Sequence, residues 1–385
     1  MENTAFTRNG AEFTRAPKPQ SLGAPSNQVV YLVSTAPDAD ASKFPIGKAM
    51  LIGSDDDVAK LDGTAVGEGF LIHAVQYIRR KADCYLYVVR VDKGLDEAET
   101  ITNIIGGINA ETGQRTGIAA LASVNAKPTL IGAPGYSHDK GVCIALAEQG
   151  QRHGCMFVNH LASGTVQSVT EEADLLGGSE DGFDNAISVV GNTTYNSQFG
   201  EITMPGDIVA LGLCASIPVY ENPGHQGVSI NSVDHQFEYN YTVAATEGNL
   251  LNKHGVCYYA TTAKGGYSII GNRTLTGKFI SDQGLYNEIK RKVQNALETK
   301  QGQRLTRTFI NQQLLVINNW LESLINSEIT APKSRCYLHP TKNTAAELGN
   351  GRWYIVVEYD GYPVNENPVI ELVENDELAA AALTQ

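Results

Sequence analysis

Between residues 28 and 255, short apolar runs and helix-length amphipathic stretches follow one another in turn. No other feature constrains the fold as tightly. "NQVVYLVSTAP" is a short apolar run that ends in a loop. "GFLIHAVQYIRRK" then places Phe70, Leu71, Ala74, Val75 and Ile78 on one helical face, with Arg79, Arg80 and Lys81 in the last turn, where the helix dipole favours cations. The strand "CYLYVVRV" follows, then a helix near 99–110, the strand "PTLIGAP", the helix "GVCIALAEQGQRHG" and the strand "CMFVNHL". A helix "SVTEEADLL", entered through Ser168 with Glu171 completing a capping box, leads to the strand "AISVVG". Strands alternating with helices of about a dozen residues predict βαβ units and a largely parallel sheet.

The flanks read differently. Residues 1–27 have no period and carry Pro17, Pro19 and Pro25, which predicts an extended arm. After residue 255, "GVCYYATTAKGGYSII" reads as a β-hairpin turning at Lys264, Gly265 and Gly266. Two helices follow; the second, 308–326, carries Ile310, Leu314, Ile317, Leu321 and Leu324 as one stripe. "RCYLH", "RWYIVVEYD" and "NPVIELV" are expected to be closing strands. The expected class is α/β: an N-terminal arm 1–27, an α/β core domain 28–255, a smaller α+β domain 256–365, and a C-terminal strand arm and tail 366–385. No internal repeat of 20–50 residues is visible.

Composition narrows the chemistry. A net charge of −13 over 385 residues argues against nucleic-acid binding, which needs a basic face to displace counterions. No run of 18 or more apolar residues suggests a membrane span, and the polar start lacks the apolar centre of a signal peptide. Six scattered cysteines, four of them in apolar runs, read as buried thiols of a reducing compartment. The eight histidines are dispersed, so neither a metal site nor a cofactor is expected.

Individual motifs fail on their spacing. "GNRTLTGKF" resembles a phosphate-binding loop, but five residues separate Gly271 from Gly277, and Phe279 stands where Mg²⁺ needs a hydroxyl. "GEGFLI" (Gly67, Gly69) lacks the third glycine of a dinucleotide fingerprint. "HLASGT" brings Ser163 near His160, yet without a G-x-S-x-G elbow or a marked orienting acid. Asp55, Asp56, Asp57, Glu171 and Glu172 sit where helix capping accounts for them. No constellation asks to be an active site. A well-made α/β core without chemistry points to a structural or assembly protein.

Several stretches, in order, resemble the contractile tail sheath proteins of bacteriophages and R-type pyocins. "VVYLVSTAPDADASKFPIGKAMLIGSDDDVAKL" is similar to the family's opening strand, Thr-Ala-Pro loop and Phe-Pro segment before a second strand. "YLYVVRVDKG" resembles its Val-Arg-Val strand, and "KPTLIGAPGYS" its Ala-Pro-Gly strand end, here Ala133, Pro134 and Gly135. "GVCYYATTAKGGYSIIGNRTLTG" resembles the hairpin ending in the turn Gly271, Asn272, Arg273, Thr274 and Leu275. The likeness continues through "NNWLESLINSEI" to the closing strands. Two departures stand out: Ile270 replaces a frequent Trp before the turn, and the 217–240 loop has no tryptophan. Large outer insertions are also missing, so a compact subunit is expected.

The resemblance implies a structural subunit, not an enzyme, needing no cofactor. Its partners would be other copies of itself in a helix or stacked rings, the tail tube protein, and baseplate and tail terminator proteins, with no nucleic acid and no membrane insertion. Its place would be a virion or tailocin tail, assembled in the bacterial cytoplasm. The alternatives are a soluble α/β enzyme of unrecognised chemistry, or another self-assembling tail component such as tube or baseplate. Two regions become candidate interfaces. Residues 273–307 hold eight basic side chains against Asp282, Glu288 and Glu298. If Leu285, Ile289, Val293 and Leu297 face inward on a helix, Lys290, Arg291 and Lys292 point outward. With Lys300, Arg304 and Arg307 they form either a solvated face or a strip toward an acidic tube. Val369, Ile370, Glu371, Leu372 and Val373 are expected to form a strand donated to a neighbouring subunit, Val369 and Glu371 on one face.

Overall fold

The computed structural model describes residues 28–162, 164–178, 183–375 and 377. The chain begins with β1 (Val29–Thr35), β2 (Ala49–Ile52), α1 (Asp55–Ala59), α2 (Phe70–Lys81), β3 (Tyr85–Val91) and α3 (Glu97–Ile105). Then come β4 (Leu130–Gly132), α4 (Lys140–His153), β5 (Met156–Leu161), α5 (Val166–Gly177) and β6 (Ala186–Val190). The middle of the chain forms β7 (Asn192–Ser197), β8 (Gly200–Pro205), α6 (Gly206–Ser216), β9 (Ser232–Val233) and α7 (Glu247–Lys253). The last elements are β10 (Val256–Thr261), β11 (Tyr267–Ile270), α8 (Ile280–Glu298), α9 (Arg307–Asn326), β12 (Arg335–Leu338), α10 (Ala345–Gly349) and β13 (Ile355–Glu358).

The expected parallel sheet is present, in the order β11-β10-β6-β5-β4-β1-β3-β2. Its six inner strands run parallel, while β2 and β11 close the edges antiparallel. Both faces are covered, which is why the strands read as unbroken apolar runs. In β1, Val30 and Leu32 join the cluster containing α2 and α6, and Tyr31 and Val33 the cluster containing α3, α4 and α5. Helix α6 is buried from Gly206 to Ala215, and its all-round apolar sequence suits an interior helix. A Cβ at Gly212 would lie 2.5 Å from Tyr77 Cδ1, so this glycine lets α6 approach α2 closely.

Four local expectations need correction. Helix α5 starts two residues before Ser168, because Thr165 caps it and accepts from the Ser168 amide at 3.2 Å. The helix near 99–110 ends at Ile105, where Gly106 takes a φ of 66°. The hairpin turns at Lys264–Gly266 as expected, but β10 pairs in parallel with β6 and so belongs to the large sheet. A break at residue 255 therefore cuts a hydrogen-bonded ladder. Residues 367–373 are not a strand within the subunit; no described strand pairs with them.

Residues 292–362 form a compact unit apart from 28–291, and the chain after Pro363 returns to the larger unit. In the smaller unit, Ile310, Ile317, Trp320, Leu321 and Leu324 are buried on α9. Asn318 exchanges two hydrogen bonds with the Cys336 backbone, at 2.7 and 2.8 Å, which fixes α9 on the β12–β13 pair.

Candidate functional site

The turn at 271–279 has no phosphate cradle. A cradle needs backbone N–H groups converging on an empty point, whereas here Thr274 N donates to Lys278 O and Gly277 N to Thr274 O, both at 2.9 Å. Gly271 adopts a φ of 140°, and a Cβ there would meet Cys257 Sγ at 2.6 Å. The cations of the turn are occupied. Lys278 pairs with Asp184 at 2.7 Å, and Thr276 donates to the same carboxylate at 2.5 Å. Partial burial would raise the Asp184 pKa, but the bonds from Lys278 and Thr276 outweigh it and hold it low. Arg273 Nε and Nη2 donate to the two Glu366 oxygens at 3.2 and 2.7 Å, and Nη1 donates to Gly277 O at 2.8 Å. Asn272 O accepts from the Ile280 amide at 3.0 Å, fixing the start of α8.

The strongest chemical constellation is one the sequence did not suggest. Ser137, His160 and Asp207 meet beside an open cleft of about 680 Å³ at the carboxyl ends of β4 and β5. In open α/β sheets this is where ligands bind. The hydrogen bonds run the wrong way for catalysis. Ser137 Oγ donates to Asp207 Oδ2 at 2.5 Å and accepts from the His160 backbone N at 3.0 Å, while His160 Nε2 lies 3.2 Å from the Gly191 carbonyl. The imidazole therefore bonds a carbonyl and cannot take the serine proton. Burial pushes the Asp207 pKa up and the His160 pKa down, so both tend to neutrality. The group ties α6 to the Ala133–Gly135 turn, where Ser34 Oγ also donates to Pro134 O at 2.8 Å. Ser163 lies outside the described residues.

The other candidates are structural. Gly69 opens α2 with a φ of 86°. Asp55, Asp56 and Asp57 pair with Arg79, Lys60 and Lys43 at 2.8, 2.6 and 2.6 Å. Glu171 accepts from Gln167 at 2.8 Å, and burial pushes the Glu172 pKa up. Burial also pushes Cys143, Cys155, Cys214 and Cys257 up to about 12, the behaviour of inert core thiols. Among the described residues no group of three His, Cys, Asp or Glu could hold a metal ion.

The basic strip is split. Lys290, Lys300, Arg304 and Arg307 are exposed and Lys292 half-buried. Arg291, expected outward, is only 5% exposed. It pairs with Glu288 and donates to the Gly154 carbonyl at 3.1 Å. The buried arc of α8 also includes Gln283, Gly284, Asn287 and Glu288, so it is wider than its apolar residues indicate. Arg291 falls inside that arc. The C-terminal segment, in contrast, stands clear: Val369, Ile370, Leu372 and Val373 are 89%, 74%, 91% and 77% exposed, and Glu371 is exposed with them.

No family model matches the chain. It is 25% identical to the tail sheath protein of Escherichia phage P2, over 93% of each chain. The resemblance to contractile tail sheath proteins holds end to end. A putative prophage major tail sheath protein of Pseudomonas aeruginosa strain UCBPP-PA14 is 22% identical over 93% of this chain and 94% of its own. Among solved structures, the anti-feeding prophage baseplate aligns with a TM-score of 0.69 at 16% identity, covering 97% of this chain and all of that one. The contracted helical sheath of the same prophage gives 0.67 at 15% identity, again over 97% of this chain and all of that one. At such identities these structures establish the sheath fold, and the curated relatives carry the rest. Along nearly its whole length the chain thus resembles structural sheath subunits rather than enzymes, and its relatives support a place in a particle tail.

Proposed function

We propose that copies of this chain polymerise around a tail tube in an extended, metastable state and then shorten, driving the tube through a target envelope. The full-length likeness to the P2 tail sheath protein carries this reading. A bias of a few kcal/mol per subunit is enough to switch a two-state element. Summed over many copies it becomes large, and it is loaded by assembly, so no nucleotide is required. The tube protein, the baseplate and the tail terminator are the expected partners, and the bacterial cytoplasm the site of assembly.

Within this reading the exposed residues 369–373 are strand donors to a neighbouring copy. Apolar side chains this exposed, on unpaired backbone, are a hazard unless another edge receives them. The β12–β13 pair is a fitting acceptor, because no other described strand joins it. Residues 1–27 are proposed as a second arm, and Lys290, Lys300, Arg304 and Arg307 as the tube-facing charges. Negative-stain microscopy of the purified protein tests the whole: hollow striated tubes are expected, and discrete particles at every concentration would overturn it.

A further inference from the structure

The chain leaves the larger unit after Arg291 and re-enters it at Pro363. One side chain of the larger unit grips the returning segment by a two-point ion pair. Arg273 clamps Glu366 through two hydrogen bonds, and its guanidinium is oriented independently of that carboxylate. Nη1 bonds the Gly277 carbonyl at 2.8 Å, and the group lies 4.1 Å from the centre of the Phe279 ring. A planar fork fixed in this way is ready to receive a carboxylate in two-point geometry. Beyond Glu366 the chain is exposed from Asn367 to Asn375.

We infer that the Arg273–Glu366 pair is a latch that sets the point from which the C-terminal arm reaches a second copy of this chain. The inference rests on the reading of residues 369–373 as a donated strand. With the latch closed, Val369 is three positions beyond the fixed point; with it open, the free chain starts at Pro363, six positions before Val369. The extended reach then grows by roughly 10 Å. The effective concentration of the arm at its acceptor falls with about the three-halves power of tether length, so by about threefold.

The test uses the full-length chain with Glu366→Gln and Glu366→Ala, which leave the Gly277 bond and the Phe279 stacking in place. Two quantities are read: amide hydrogen exchange over 363–368 in dispersed subunits, and the threshold protein concentration for tube formation. Faster exchange with a threshold raised about threefold is expected. Unchanged exchange in Glu366→Ala would overturn the latch. So would a raised threshold without faster exchange, which assigns Glu366 to the contact between copies. If the unaltered chain forms no tubes, the sheath reading fails, while exchange still decides whether the pair holds the segment.

Discussion

Arg291 and Glu288, one turn apart on α8, form an ion pair sealed inside the larger unit, with side chains 5% and 1% exposed. The Gly154 carbonyl accepts from the same guanidinium at 3.1 Å, so the end of α4 is part of the pair. Removing one member takes away the opposite charge that the other faces in a buried site, and breaking a buried pair typically costs about 3–5 kcal/mol. Arg291→Ala and Glu288→Ala should each lower the unfolding midpoint sharply in thermal or urea titrations. The double replacement Glu288→Leu with Arg291→Met should cost less than Arg291→Ala alone, since both charges of the pair leave together. A mild effect of Arg291→Ala would mean that the arginine reaches water.

The Ser137–His160–Asp207 group predicts a pH signature of stability. The Asp207 pKa is raised by burial above its unfolded value of about 3.9, so its contribution is full at low pH and declines as pH rises through the folded value. The His160 pKa is lowered by burial below about 6.5, so its contribution is present above that pH and is lost as pH falls through the folded value. Asp207→Asn keeps an acceptor for Ser137 and removes the buried acid. Its stability relative to the unaltered chain should therefore rise between pH 4 and 8, measured as unfolding midpoints across that range. A difference independent of pH would show that burial does not raise the Asp207 pKa above its unfolded value.

Much of this fold was legible because its inner strands are short and buried on both sides, as "VVYLVST" and "AISVVG" are. Helix α6 was missed for the same physical reason: buried all round, it has no polar face to reveal a period of 3.6. The β7–β8 hairpin escaped because its strands, "NTTYNS" and "GEITMP", carry few apolar residues. Pairings far apart in sequence leave no local trace. Ser137 and Asp207 are 70 residues apart, and Arg273 and Glu366 are 93 apart. The error at Arg291 came from taking apolar residues alone to mark the buried face, when Asn287 and Glu288 are buried beside Ile289.

The exposed cations give a prediction about tube attachment. Reversing Lys300, Arg304 and Arg307 to Glu changes side chains that stand in solvent, so stability should move by less than about 0.5 kcal/mol. If these charges hold an acidic tube, co-sedimentation with tube should fall in the variant. In the unaltered chain it should weaken between 0.05 and 0.5 M salt, as screened contacts do. Sheath self-association should persist in both. Co-sedimentation indifferent to reversal and to salt would place the tube contact elsewhere.

The C-terminal arm gives the sharpest separation between folding and assembly. Its apolar side chains are almost fully exposed, so removing them takes no buried area from the subunit. The one described tie lost by ending the chain after Asn365 is the Arg273–Glu366 pair, whose side chains are 38% and 31% exposed. A half-exposed pair of this kind contributes on the order of 1 kcal/mol or less. The truncated chain should therefore unfold within a few degrees of the full-length protein while forming no tubes at concentrations where the full chain does. Deleting residues 1–20 tests the other proposed arm in the same assay. A truncated chain that still assembles with tube and baseplate, and still contracts, would mean that subunits are linked through other surfaces. A truncated chain that unfolds would mean that the arm belongs to the subunit's own core, which the exposure of Val369, Ile370, Leu372 and Val373 argues against.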